Sequence, residues 1–200
     1  TMHHIDFARE DVDIAVRHGD GHWPGLNVTR LCSEHLFAVC SPALAAKLGR
    51  PADVLKLPLL HLDARTAWFA WLEAAGVSGT DSIHGPILNR ASMLIDAAAD
   101  GQGIALARTT LAAWDLINRR LVRPFPVALP LSKSYWIVSP KAPASLPKLV
   151  AFREWLLTQA SDDTRHLEGL AGPQPRQRRN AGRQPTRKQN ARQSSANAKS

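Results

Sequence analysis

Cysteine is scarce in this 200-residue chain. Cys32 and Cys40 are the full complement, so neither a disulfide framework nor a four-ligand zinc cluster can be assembled, and a reducing compartment fits. No apolar run approaches the roughly 18 residues that a membrane helix needs. The opening Thr1-Met-His-His-Ile-Asp6 has no basic segment ahead of an apolar one, which predicts a chain without a signal peptide and a cytoplasmic location. Acidic residues are missing from 171–200, where Arg176, Arg178, Arg179, Arg183, Arg187, Lys188, Arg192 and Lys199 are found. These eight basic residues equal the whole formal net charge of +8, so residues 1–170 are neutral. The charge belongs to a tail, and a basic nucleic-acid-binding body is excluded.

What remains is a body able to fold. The hydrophobic share of 44% is ordinary for a globular chain. Asp11–Arg17 alternates and is rich in β-branched residues, so it predicts a strand ended by Gly19, Gly21 and Pro24. Leu36–Cys40 predicts a second strand, and Ser41-Pro42 predicts a helix running to Gly49. Further strands are expected at Leu57–His61, Gly85–Leu88, Ile104–Ala107 and Tyr135–Val138. Helices are expected at Ala67–Ala75, Ser92–Asp100, from Thr109 or Thr110 to Asn118, and from Ser145-Leu-Pro147 to about Gln159. Alternating strands and helices of this kind predict an α/β fold with mainly parallel pairing. Apolar content collapses after about Ser161, and from Ala171 the composition predicts disorder.

Familiar catalytic patterns are incomplete. Gly19-Asp-Gly21 follows a strand, but Pro24 stands in place of the third glycine and no helix opens there. Gly101-Gln-Gly103 follows a helix instead of preceding one, so no dinucleotide or phosphate-loop site is expected. His18 and His22 have helical metal-ligand spacing, but the intervening Gly19 and Gly21 disfavour a helix. Cys40 lies in an apolar run and reads as a small buried hydrophobe. Neither a Gly-x-Ser-x-Gly elbow nor a triad can be assembled. No cofactor, metal or catalytic activity is therefore expected.

A binding constellation is visible instead. Open parallel sheets bind ligands beyond the C-terminal strand ends, where helix N-termini leave N–H groups unpaired. Arg17 and His18 end one strand, Ser41 opens a helix, His61 ends a strand, and Asn89 to Ser92 join a strand to a helix. An arginine there suits a carboxylate, which it can hold through two parallel hydrogen bonds. Asn89 and Ser92 read equally well as helix caps, and Arg90 as a solvated loop charge.

In consistent order, six segments resemble the effector-binding domain of LysR-type transcriptional regulators. They are Asp6-Phe-Ala-Arg-Glu-Asp-Val-Asp-Ile-Ala-Val-Arg-His-Gly-Asp-Gly-His-Trp-Pro-Gly25, Leu36-Phe-Ala-Val-Cys-Ser-Pro42, Pro58-Leu-Leu-His61, Ala98-Ala-Asp-Gly-Gln-Gly-Ile-Ala-Leu106, Arg120-Leu-Val-Arg-Pro-Phe125 and Tyr135-Trp-Ile-Val138. The likeness spans about residues 5–157 and is strongest to the subgroup of glycine-cleavage activators. It implies a periplasmic-binding-protein type II-like α/β fold: two Rossmann-like lobes with an effector in the cleft between them. Lobe one would hold residues 1–38 and 137–160, lobe two residues 39–136, and 161–200 would be the basic tail. Lobe one is expected to be incomplete, because the family's first strand, helix and next strand precede the matching residues, as do its winged helix-turn-helix and linker helix.

The resemblance also implies association of effector domains into a homo-oligomer and DNA recognition by the N-terminal region that this chain lacks. The function expected is sensing, without catalysis, of a small and carboxylate-bearing metabolite through Arg17, His18, Ser41, His61, Asn89 and Ser92. A solute-binding protein of a transport system is the alternative on the same fold. A third reading is a truncated product whose 171–200 tail binds nucleic acid nonspecifically, through phosphate contacts that salt would weaken.

Overall fold

A computed structural model describes residues 5–78, 83–141 and 146–170. In chain order its strands are β1 (Ala15–Gly19), β2 (Leu26–Cys32), β3 (His35–Val39), β4 (Leu59–Leu62), β5 (Ile87–Leu88), β6 (Ile104–Arg108), β7 (Ala128–Pro130) and β8 (Ser134–Pro140). The helices are α1 (Pro42–Ala45), α2 (Thr66–Ala74), α3 (Ala91–Ala99), α4 (Thr109–Ile117) and α5 (Pro147–Leu170), with a 3-10 turn at Pro51–Lys56. The strands form two sheets, ordered β1-β8-β2 and β5-β4-β6-β3-β7.

The second sheet is buried on both faces, and strand alternation divides its side chains between two cores. Phe37, Val39, Leu60, Ala105 and Ala107 point to one side, where Leu94, Ile95 and Ala98 of α3 and Ala112 and Leu116 of α4 cover them. Ala38, Cys40, Leu59, Ile104 and Leu106 point to the other, against Trp68, Trp71 and Leu72 of α2 and Phe125. Each large side chain so buried contributes about 1.5–3 kcal/mol. Both indoles keep their N–H bonded: Trp68 Nε1 donates to the Leu60 carbonyl at 3.0 Å and Trp71 Nε1 to the Val127 carbonyl at 3.2 Å. Gly85 is required where β5 approaches β4. Its φ is +148°, and a Cβ there would lie 1.9 Å from the Leu59 carbonyl oxygen.

The first sheet is thinner. Its central strand β8 pairs antiparallel with β1 (His18 opposite Tyr135) and with β2 (Val28 opposite Val138). The turn from β1 to β2 depends on Gly21, at φ +86°, because the Trp136 ring occupies the place of a Cβ 2.4 Å away. Trp136 Nε1 donates to the Gly19 carbonyl at 2.9 Å and ties that turn down. Helix α5 starts on this sheet, where Leu149 is buried and Lys148 pairs with Asp13 at 2.8 Å. It ends with Leu167 packed against the second sheet's core.

The α/β expectation holds, but the pairing is not mainly parallel. Among the described residues only β4 pairs parallel, with β5 and β6; the pairs β1–β8, β2–β8, β3–β6 and β3–β7 are all antiparallel. The reason is that β3 and β8 are the crossing strands, which enter a neighbouring sheet from the opposite end. Strand β2 was not expected at all. The chain leaves the first sheet at Ser33–Glu34 and re-enters it after Leu131 to Lys133, because β3 pairs wholly in the second sheet. Both crossings fall a few residues before the expected boundaries at 38 and 137. The helix after Ser41 is four residues long and does not reach Gly49. Helix α5 continues past Gln159 to Leu170, through the first ten residues assigned to the tail. The rest of the expected disordered tail, 171–200, lies outside the described residues.

Candidate functional site

Two strand ends meet at the crossings. In the first sheet His18, Tyr135 and Cys32 lie side by side by register, and the His18 and Tyr135 ring centroids are 4.9 Å apart. In the second sheet Leu36 is opposite Arg108, immediately before α4. Between them sits Glu34, 1% exposed. Its Oε1 accepts the Thr110 backbone N–H at 2.9 Å, which seats the carboxylate on the N-terminus of α4 where the helix dipole favours negative charge. Thr109 fastens the same corner: its Oγ1 accepts the His35 N–H at 3.0 Å and donates to the His35 carbonyl at 3.3 Å.

Electrostatics connect these groups. Burial, with the Glu34 charge second, pushes the Tyr135 hydroxyl above its ordinary value, while Arg108 pulls it down. Burial also raises the Cys32 thiol, opposed by its contact with Thr110 Oγ1 at 3.7 Å. Tyr135 and Cys32 therefore stay protonated at neutral pH and are potential donors. Two buried atoms here lack a hydrogen-bond partner among the described residues, His18 Nε2 and Glu34 Oε2. An unpaired buried polar atom costs about 1–3 kcal/mol. A ligand that paired both would recover that loss.

Beside this corner, a cavity of about 120 Å³ opens at the C-terminal end of β4. His61, Trp68, Arg108 and Leu111 line it, together with Ala91 at the first turn of α3. His61 is 1% exposed and neither ring nitrogen has a partner among the described residues. Burial, then the nearby Arg65 charge, holds its pKa below the ordinary value of 6.5. It is neutral at pH 7, with one donor and one acceptor to offer. Among the described residues no group of three or more His, Cys, Asp or Glu is placed to hold a metal ion. No described helix is long and apolar enough to cross a membrane.

The six residues expected from the sequence do not share one crevice. His18 borders the junction and His61 the cavity beside it. Asn89 and Ser92 are exposed at the start of α3, on either side in sequence of Ala91, which lines that cavity, but do not line it themselves, and neither caps the helix, because Arg90 is the N-cap. Arg17 and His18 project to opposite faces of β1, as consecutive strand residues must. The Arg17 guanidinium is engaged locally. It donates to the Ile5 carbonyl at 2.6 Å and lies 5.4 Å from the Phe7 ring and 5.8 Å from that of Trp23. Ser41 lies at the far end of the second sheet beside Gly101, because β3 runs antiparallel to β6 and its C-terminal end points away from His61. Its Oγ is buried, without a partner among the described residues, and not used as a cap. Glu34, Tyr135, Arg108 and Thr110 were missed. The one local sign is a glutamate beside an apolar strand, Ser33-Glu34-His35-Leu36-Phe37, where burial forces a partner on it.

Comparison with known proteins agrees with this architecture. The LysR substrate binding domain family matches residues 3–161. The glycine cleavage system transcriptional activator of Escherichia coli K12 is 37% identical over 159 residues, covering 78% of this chain and 52% of that protein. The HTH-type transcriptional activator AmpR of Citrobacter freundii is 34% identical over 153 residues, covering 76% and 52%. The chain thus spans about half the length of the curated relatives it matches. Among solved structures, the effector domain of AmpR from Pseudomonas aeruginosa superposes with a TM-score of 0.59 at 31% identity, covering 82% of this chain and 79% of that one. The effector binding domain of Citrobacter freundii AmpR gives 0.61 at 30% identity, covering 80% of each.

Proposed function

Since this chain belongs to the LysR substrate-binding-domain family and is an effector-binding domain of that kind, we propose that it senses a small metabolite at the junction of its two sheets. The relatives are transcriptional regulators, not enzymes. In the complete polypeptide the occupied junction would bias a DNA-binding region through a shift of one sheet against the other, because a ligand changes an equilibrium only by binding one state better. Homo-oligomers of such domains and a cytoplasmic location belong to the same reading.

The observation that carries it is a set of buried polar atoms without a hydrogen-bond partner among the described residues, in the C-terminal parts of β1 and β4 and at the crossing between the sheets: His18 Nε2, both His61 ring nitrogens and Glu34 Oε2. Arg108 adjoins both the cavity and the Tyr135 corner. A metabolite with a carboxylate for Arg108 and a donor group for Glu34 meets that chemistry. Asn89 and Ser92 are exposed near Ala91 of the cavity lining, whereas Arg17 supports β1 from the other face and Ser41 is remote.

The test is a thermal-shift panel of amino acids and carboxylic acids on the full chain. A ligand present at 100 times its Kd stabilises by about 2.7 kcal/mol. The shift should be lost in Glu34→Gln and Arg108→Gln and kept in Ser41→Ala. A shift kept in both junction variants refutes the placement.

A further inference from the structure

Helix α5 bridges the two sheets, and beneath its C-terminal half lies a groove of about 1080 Å³. Phe37, Leu116, Leu121 and Leu167 supply apolar walls, and Arg30, Arg119 and Arg123 bring positive charge against one carboxylate, Glu168. We propose that this groove is a second ligand site, apart from the junction, for a small amphipathic anion: one carboxylate or sulfonate on an apolar body.

The charge is uncompensated. Among the described residues no carboxylate forms an ion pair with any of the three arginines. Arg123 is half-buried and stacked 4.9 Å from the Phe37 centroid. Its Nε donates to the Phe125 carbonyl at 3.1 Å and one Nη to the Pro126 carbonyl, so its fork is held in place, and among the described residues its other Nη has no hydrogen-bond acceptor. Arg119 is exposed at a left-handed φ of +57° just past α4. Arg30 stacks 4.7 Å from the Trp136 ring. A guanidinium set over apolar walls matches a charged head on a hydrocarbon or aromatic body, whereas a nucleic-acid backbone has no use for such walls. The groove shares Cys32, His35 and Thr109 with the junction corner but includes none of His18, Glu34, Tyr135 or His61.

Titration calorimetry of the full chain with sodium octanoate tests this, with 1-octanol and acetate as the neutral and headgroup-only controls. One octanoate should bind per chain, at least tenfold more tightly than either control. Arg119→Glu should weaken it at least tenfold and Arg119→Lys much less. Leu167→Trp, which fills the groove, should abolish it, and Glu34→Gln should leave it unchanged, so failure here is distinct from failure at the junction. Equal binding of octanol, or octanoate affinity indifferent to both Arg119→Glu and Leu167→Trp, overturns the proposal. So does capture of an oligoglutamate peptide while octanoate is ignored, which would assign the groove to an acidic protein segment. Near-ultraviolet circular dichroism of each variant shows that it is folded, and Arg119→Glu, on an exposed side chain, does not depend on the core.

Discussion

The two sheets solve the same burial problem unequally. The second is covered on both faces, and Ala38, Val39, Cys40, Ile104 and Ala105 are all inaccessible. The first has three strands and one end of α5, and it leaves Val16 at 47%, Phe152 at 44% and Trp155 at 54% exposed. The second sheet therefore carries most of the folding free energy. The first contributes half of the junction site without a comparable core of its own. Stability and binding are divided between regions, and a substitution can strike one while sparing the other.

The largest expected effect breaks the stronger half. Trp71 is inaccessible, packs edge-on against Trp68 with centroids 5.6 Å apart, and keeps its N–H bonded. Trp71→Ala should cost about 3–5 kcal/mol, read from urea unfolding followed by far-ultraviolet circular dichroism. Loss of the first sheet's signal at the same midpoint would show that it cannot stand without the second. A cost below about 1 kcal/mol would mean that the core does not carry the load assigned to it.

A smaller effect separates the halves by pH. His61 is in the second sheet and its folded pKa lies below 6.5, chiefly through burial. Above 6.5 it is neutral in both folded and unfolded states and has no pH-dependent effect. As pH falls below 6.5 the unfolded chain takes up the proton first, so stability is lost progressively down to the folded pKa. Melting temperatures between pH 7.5 and 5 should decline in the wild type. The decline should be clearly shallower in His61→Leu, which removes the buried ring. Identical slopes would place the acid sensitivity elsewhere.

What the sequence disclosed divides along similar lines. Segments whose pattern is local were legible: Leu36–Cys40, Ile104–Ala107, and α2 with its tryptophans at helical spacing. Strand β2 was not, because Leu26-Asn-Val-Thr-Arg-Leu-Cys32 interleaves polar residues suited to an edge strand and follows directly on Pro24-Gly25. Residues 161–170 are polar on nearly all sides and hold their helix with one apolar anchor, Leu167, and an Asp162–Arg165 pair at 3.0 Å. Composition could not distinguish that from a tail. The arrangement of the candidate site residues was not legible for a further reason. Placing Ser41 with His61 required the direction of β3 relative to β6, and placing Arg17 with His18 ignored the two-residue alternation of a strand. Glu34 and Tyr135 meet across about a hundred residues of chain, and nothing in either neighbourhood announces the other.

The smallest effect is also the sharpest test of the weaker half. Trp155 stacks on Phe152 at 5.7 Å between centroids with planes 26° apart, yet more than half of its surface is open. Substituting lysine keeps helix propensity and removes that stack, which is worth about 0.5–1.5 kcal/mol. Because the site is already wet, Trp155→Lys should cost no more than about 1 kcal/mol in urea unfolding at low protein concentration. Val16→Thr, on β1, should cost still less. A loss above about 2 kcal/mol for Trp155→Lys that grows as the protein is concentrated would have a different meaning. It would show that this face is covered by another copy of the chain in solution, and that the first sheet borrows from a neighbour the burial its own three strands do not provide.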